Sequence, residues 1–174
     1  VLEIVNALDP DWHAQLAESV EDWQSGSPRA LKLRVRSAPA PDPTCSHIDG
    51  VMKACNGDYG DRGWNGLNEV LFDIRGRIVS SVAMMNEHYL RGASDDERRY
   101  VMCHELGHGF GLPHRDEDAH NADLGSCLDY TVRPWNNVVP DETDYRHLAD
   151  MYGIIPGSGS EPVPYDKESE RRLW

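Results

Sequence analysis

The sequence predicts an α+β domain in which helices and strands pack around one hydrophobic core. Its 174 residues are about the length of a single domain. Three segments have apolar or capping residues at helical spacing, and three others have the alternating or β-branched character of strands. We therefore expect one domain over residues 1–155. Residues 156–174 lack periodicity and are rich in Gly, Ser, Pro and charge, which predicts a linker-like or docked C-terminal tail.

The first half of the chain is predicted to contain one helix and three strands. The helix extends from about Asp9 to Gln24, where apolar residues recur every three or four positions. These residues are Trp12, Leu16, Val20 and Trp23. Strands are expected at residues 31–35, at Glu69–Ile74 and at Ile78–Met85, the last two joined by a short turn. Residues 37–68, rich in Pro, Gly and Asp, are predicted to form a long loop.

The second half is predicted to contain two helices. Ser94 followed by Glu97 matches a capping box, which places the start of a helix at Ser94. The glycines at 109 and 111 are expected to end this helix. A last helix is expected from about Glu142 to Tyr152, with a glycine directly after it in the capping position.

The charge of the chain excludes several classes of partner. The net charge is -13, and a field of that sign repels phosphate backbones and anionic lipid headgroups. The sequence has no apolar run near the roughly 18 residues that a membrane-spanning helix needs. We therefore expect no nucleic-acid or membrane partner, and we expect a monomer. The chain begins at Val1 rather than Met, as it would after removal of a signal peptide or pro-segment.

The most informative segment is HELGHGFGLPH, from His104 to His114. On a helix, His104 and His108 share one face and reach the same ion, whereas Glu105 is turned by about 100° and stands beside them. Gly111 allows the chain to leave the helix with a positive φ, so that His114 returns as a third nitrogen ligand. Three imidazoles that leave one position for water fit a catalytic zinc ion, with Glu105 as its general base. The alternatives are a purely stabilising zinc site and ordinary helix histidines.

The pattern HExxHxxGxxH resembles the signature of the metzincin clan of zinc metallopeptidases. The resemblance implies a zincin-like fold with a twisted, mixed and mostly parallel sheet, an active-site helix and a closing C-terminal helix. Metzincins carry a Met-turn beneath the zinc, and Leu128 stands where its methionine is expected. Tyr130 is similar to the tyrosine that astacins and serralysins place near the metal, which implies capping of the zinc or donation to an oxyanion. A core tyrosine with a satisfied hydroxyl is the alternative. By the same resemblance, Ile78–Met85 is the edge strand that pairs with an extended substrate.

The four cysteines favour two disulfides, because their number is even and no CxxC pair is present. Disulfides indicate an oxidising compartment, so we expect a secreted protein. A bridge between Cys45 and Cys55 would constrain the long loop. Cys127 lies just before the turn that the resemblance places under the zinc, and a bridge to Cys103 would join that turn to the zinc helix. Other pairings and free buried thiols are the alternatives.

These observations predict a secreted zinc-dependent endopeptidase with one catalytic zinc ion and a protein or peptide substrate. Its zinc ligands are His104, His108 and His114, and a metal-activated water attacks the peptide bond with Glu105 as general base. Tyr130 is expected to steady the oxyanion. The alternatives are a catalytically idle zinc domain that binds a protein or glycan partner, and a zinc amidase that acts on cell-wall peptides.

Two further expectations concern charge near the site. An acidic cleft favours basic side chains in the substrate, with Val132, Pro134 and Trp135 as candidates for the pocket lining. The acidic residues between 116 and 123, and the pair Asp58 and Asp61, could hold a calcium ion, although a solvated acidic surface is the simpler interpretation.

Overall fold

Residues 1–156 are described by the computed structural model of the chain. The fold is mixed α/β, and in these residues a five-stranded mixed sheet is accompanied by four α-helices. The strands are β1 (Leu2–Ala7), β2 (Leu33–Ser37), β3 (Met52–Gly57), β4 (Gly66–Phe72) and β5 (Ile78–Asn86). The helices are α1 (His13–Ser25), α2 (Glu87–Leu90), α3 (Asp95–Gly109) and α4 (Glu142–Tyr152), and 3₁₀ turns lie at Pro10–Trp12 and Pro134–Asn136. The predicted C-terminal tail lies outside the described residues apart from Pro156, so its docking stays a prediction.

The sheet has the strand order β2-β1-β3-β5-β4, and only β4 runs antiparallel to its neighbour. The expected mixed, mostly parallel sheet is therefore confirmed, and so is the hairpin of β4 and β5. The prediction that Ile78–Met85 lies at the edge is wrong. Because β3 pairs with one side of β5, the hairpin leaves β4 outermost on the other side.

Two strands were missed by the sequence patterns, β1 and β3. β3 lies inside the segment 37–68 that is predicted to be a loop, so that prediction is wrong for Met52–Gly57. Its sequence MKACNG has no β-branched residue, and a lysine stands in its middle. Lys53 is only 4% exposed, because its ammonium forms an ion pair with Asp42 and donates to the backbone oxygen of Ser46 at 2.7 Å. Pairing with β1 and β5 on both sides therefore overrides a weak local propensity.

The hairpin also begins earlier than the sequence predicts. β4 covers Gly66–Phe72, whereas the apolar run suggested Glu69–Ile74. The strand ends at Phe72 because Asp73 closes the turn. Its carboxylate accepts from the backbone N–H of Arg75 at 2.8 Å and of Arg77 at 3.0 Å.

Helix α3 lies at the centre of the fold, between the sheet and α1. Towards α1, the indole of Trp23 packs edge-on against Phe110 with ring centroids 5.5 Å apart, and its N–H donates to the backbone oxygen of Cys103 at 3.1 Å. A Cβ atom at Gly109 would lie 2.4 Å from the terminal methyl of Met52 on β3, which shows how closely the helix approaches the sheet. Burial on both faces fixes the position of α3. None of the described helices is long and apolar enough to span a bilayer.

Candidate metal centre

The three predicted ligand histidines come together at the C-terminal end of α3. His104 and His108 lie one turn apart, with their Nε2 atoms 2.9 Å from each other. The chain leaves the helix through Gly111, which has φ +98°, and His114 returns to the same place. The ring centroid of His114 is 5.1 Å from that of His104 and 4.7 Å from that of His108. One ligand atom from each histidine lies within 4.8 Å of the other two, so the geometry is compatible with a metal ion held by all three.

Each histidine is oriented by a hydrogen bond from its Nδ1. His104 donates to the backbone oxygen of Cys127 at 2.6 Å, and His108 donates to that of Leu112 at 2.8 Å. The Nδ1 of His114 lies 2.9 Å from the carboxylate of Glu117. Oxygen partners of this kind fix the tautomer and leave Nε2 as the ligand, which is the usual arrangement around a protein-bound metal.

The contact between His104 and His108 shows that this site suits a cation. A carbonyl oxygen only accepts, so both Nδ1 atoms carry the hydrogen and both Nε2 atoms present lone pairs. Two lone pairs that face each other at 2.9 Å are stabilised by a positive charge between them. Burial lowers the pKa of His104 to about 3, with a further contribution from His108, and burial also lowers the pKa of His108. Neutral imidazoles in this arrangement are compatible with a zinc ion.

Glu105 lies next to the first ligand and faces β4. It is 4% exposed, and its Oε2 has no hydrogen-bond partner in the part of the chain that the structure describes. Burial raises the pKa of this carboxyl group to about 8. A buried carboxyl with a raised pKa and an unused oxygen next to the first histidine of the triad is a candidate for proton transfer at this site.

Two residues of β4 fix the helix beside this carboxyl. A Cβ atom at Gly66 would lie 2.4 Å from Oε1 of Glu105 and 2.6 Å from a methyl group of Val101, so only glycine allows this approach. Asn68 donates from its side-chain amide to the backbone oxygen of Glu105 at 2.6 Å. Sequence reasoning missed both residues, because a glycine and an asparagine at the start of a strand carry no local signal for a partner on α3.

Tyr130 lies beside the histidines, as the sequence suggests. Its ring centroid is 4.4 Å from that of His114, and its ring stacks on His104 with centroids 6.0 Å apart. The side chain is 36% exposed. Burial raises the pKa of the phenol, and the charges of Glu117 and Glu105 raise it further. The tyrosine is therefore a protonated donor at the rim of the site.

The turn beneath the histidines is buried and covalently joined to α3. Both expected disulfides are confirmed, Cys45–Cys55 with Cα atoms 5.8 Å apart and Cys103–Cys127 with Cα atoms 5.9 Å apart. Leu128, which stands in place of the Met-turn methionine, is fully buried. A Cβ atom added at Gly107 would lie 2.8 Å from its Cδ2. The leucine therefore fills the space directly below the ligand helix.

A buried ionic cluster connects this turn to α4. Arg115 donates to Asp141 at 2.7 Å and to Asp144 at 3.0 Å, and Asp144 also accepts from the hydroxyl of Ser126 at 2.6 Å. Asp144 is fully buried at the N-terminus of α4, where it completes a capping box with Asp141. Sequence reasoning missed this cluster, because its members are far apart in the chain.

The acidic residues considered for calcium have other partners. Asp123 accepts from Arg133 at 2.8 Å and from Thr131 at 2.7 Å, and Asp58 lies 3.5 Å from Arg91. Asp61 accepts from the hydroxyl of Tyr89. Within residues 1–156, the histidine triad is the one group of three or more His, Cys, Asp or Glu with ligand atoms close enough to share an ion. The calcium hypothesis therefore has no support in the structure.

Comparison with known proteins adds little to this geometry. No protein-family model and no curated protein matches the sequence. Among solved structures, one titled "Structure of Myroilysin" has 12% sequence identity to this chain and a TM-score of 0.49. The match covers 87% of this chain and 79% of that one. The candidate metal centre therefore rests on the residues of this chain alone.

Proposed function

We propose that this protein is a secreted, zinc-dependent endopeptidase of the metzincin type. The observation that carries the proposal is the pairing of three converging, oriented histidines with the buried Glu105, whose Oε2 is unpartnered within residues 1–156. A site that only stabilised the fold would need no proton acceptor beside its ligands. Two disulfides fit an extracellular protein, which supports secretion.

Each residue has a distinct task in this proposal. His104, His108 and His114 hold the zinc ion, which when bound activates water and polarises the scissile carbonyl. Glu105 accepts a proton from the attacking water and passes it to the leaving amine. Tyr130 donates its hydroxyl hydrogen to the developing oxyanion, a role that its position against His114 supports.

The edge strand of the sheet offers a binding surface for an extended peptide. This role belongs to β4 rather than to Ile78–Met85, because β4 is the edge strand that packs against α3. Its first residue, Gly66, lies against Glu105, so a peptide that pairs with the strand passes beside the proton acceptor. Backbone pairing of this kind binds many sequences, and pockets for individual side chains then add specificity.

The test is mass-spectrometric mapping of the products from a complex peptide mixture. The zinc-loaded wild-type protein is compared with Glu105→Gln, which keeps the shape of the side chain, and with Asp96→Asn, an exposed control on the same helix. We expect Glu105→Gln to bind one zinc ion and to lose about 10²–10⁴-fold in kcat. The control is expected to cleave like the wild type. Normal cleavage by Glu105→Gln, or no cleavage by any zinc-loaded protein, would contradict the proposal.

A further inference from the structure

A cavity opens beside the histidine triad. Its volume is about 280 Å³, and six of the residues that line it are Glu97, Tyr100, Thr131, Val132, Pro134 and Trp135. The ring centroid of Tyr100 is 5.6 Å from that of His104, and Thr131 directly follows Tyr130. Asn65, also in the lining, directly precedes Gly66, which lies against Glu105. The cavity is therefore next to the reacting groups.

One wall of the cavity is apolar and aromatic. Val132 is 54% exposed and Trp135 is 58% exposed, yet both belong to a segment that hydrogen bonds hold in place. Asp123 anchors this segment by accepting from Thr131 and Arg133, and from the side chain of Asn136 at 2.7 Å. The exposed apolar surface is thus presented in a fixed position, as expected of a binding wall.

The lining of the cavity carries one negative charge. Among residues 1–156, Glu97 is the only charged residue in the lining. Its carboxylate accepts from the side-chain amide of Asn65 at 3.4 Å, and it forms no ion pair within residues 1–156. Ser94 caps the helix by accepting from the backbone N–H of Glu97, while the glutamate side chain extends towards Asn65 instead of closing the predicted capping box.

Two other hydroxyl groups of the lining already have partners. The hydroxyl of Tyr100 donates to the backbone oxygen of Asp129 at 2.8 Å, and the hydroxyl of Thr131 donates to Asp123. The guanidinium of the neighbouring Arg133 is turned towards Asp123 and the backbone oxygen of Asn121. A ligand in this cavity therefore meets an aromatic wall and one available carboxylate.

We propose that this cavity is a specificity subsite for a lysine or arginine side chain of the substrate, with Glu97 as the residue that selects the cation. The inference rests on the proposed endopeptidase function. Lysine and arginine have a long apolar stem that packs on Val132 and Trp135, and a cationic head that reaches a carboxylate. The net charge of -13 attracts basic peptides to the surface.

The experiment maps the cleavage of a peptide library by zinc-loaded wild-type, Glu97→Gln, Glu97→Lys and Asp96→Asn proteins. Asp96 stands in the same first turn of α3 as Glu97 and is exposed. Asp96→Asn therefore removes the same charge from the same helix terminus, and it controls for the lost interaction with the helix dipole. We expect the wild type and Asp96→Asn to cleave at a fixed position relative to lysine or arginine. Glu97→Gln should lower the kcat/KM ratio of a lysine peptide over its norleucine analogue by about tenfold. Glu97→Lys should shift the preference towards acidic residues.

A binding measurement separates this inference from the proposed function. The lysine and norleucine peptides are titrated calorimetrically onto Glu105→Ala and onto the double variant with Glu97→Gln. The subsite is supported, even if no protein cleaves, when Glu105→Ala binds the lysine peptide more tightly than the norleucine peptide and the added Glu97→Gln change removes this difference. Cleavage without any enrichment of lysine or arginine, together with equal binding of the two peptides, would overturn the subsite and leave the endopeptidase function standing.

Discussion

Replacement of Gly66 by alanine tests whether β4 positions the proposed general base. The new Cβ atom would lie 2.4 Å from Oε1 of Glu105, whereas an ordinary contact needs at least 3.4 Å, so the carboxylate must retreat by 1 Å. A misplacement of about 1 Å at a reacting group can lower activity by about 100-fold. Overpacking of this kind also costs about 1–3 kcal/mol of unfolding free energy. None of the three atoms nearest to the new methyl group belongs to a ligand histidine, so zinc binding should persist.

The assay for Gly66→Ala combines kcat on a peptide substrate, zinc content and thermal unfolding. We expect kcat to fall about 100-fold, zinc content to stay at one ion per chain and Tm to fall by several degrees. Gly92→Ala is the matched control, because a Cβ atom there has no atom within 4 Å and Gly92 has no positive φ. Wild-type kcat and Tm in Gly66→Ala would refute the conclusion that the strand holds Glu105 in place.

Three other predictions concern stability and the metal. Replacing Cys103 and Cys127 by alanine should lower the unfolding free energy by about 3 kcal/mol in urea titrations, and weaker zinc binding should accompany it because the turn carries the acceptor of His104. The hydrogen bond from Lys53 holds the pKa of Asp42 at about 2 when folded, below its ordinary value, so the pair stabilises the fold above about pH 4 and this contribution disappears as pH falls towards 2. The urea midpoint of Asp42→Asn should therefore change less than that of the wild type as the pH falls from about 4 to about 2. Removal of zinc by a chelator should lower Tm, and addition of zinc should restore it in calorimetric scans.

The sequence predicted the histidine triad because the relation between its members is local. His104 and His108 share a face whenever the segment is helical, and a glycine then allows His114 to return, so no distant residue has to be known. The helices α1 and α4 were predicted for the same reason, from spacing and capping within a single segment.

The groups around the ligands could not be predicted, because they come from distant parts of the chain. Nothing near Gly66 in the sequence indicates that α3 packs on it, and Arg115 gives no sign of its pairing with Asp144. Strand β3 was missed since Lys53 looks like a surface residue until its partner Asp42 is placed beside it. Local patterns therefore specify which side chains form the triad, and tertiary contacts specify how firmly those side chains are held.

The ionic cluster beneath the site has a consequence for the order in which the protein matures. A ribosome completes the histidine triad when it adds His114, but the backbone oxygen of Cys127 that orients His104, and Asp144 that holds the turn, are added later. At ordinary rates of synthesis the delay between His114 and Asp144 is roughly 2–6 s. During that interval a nascent chain has all three histidines and the acceptor of His108, but not the complete turn that orients His104. Full orientation of the triad therefore belongs to the end of folding, after α4 has docked.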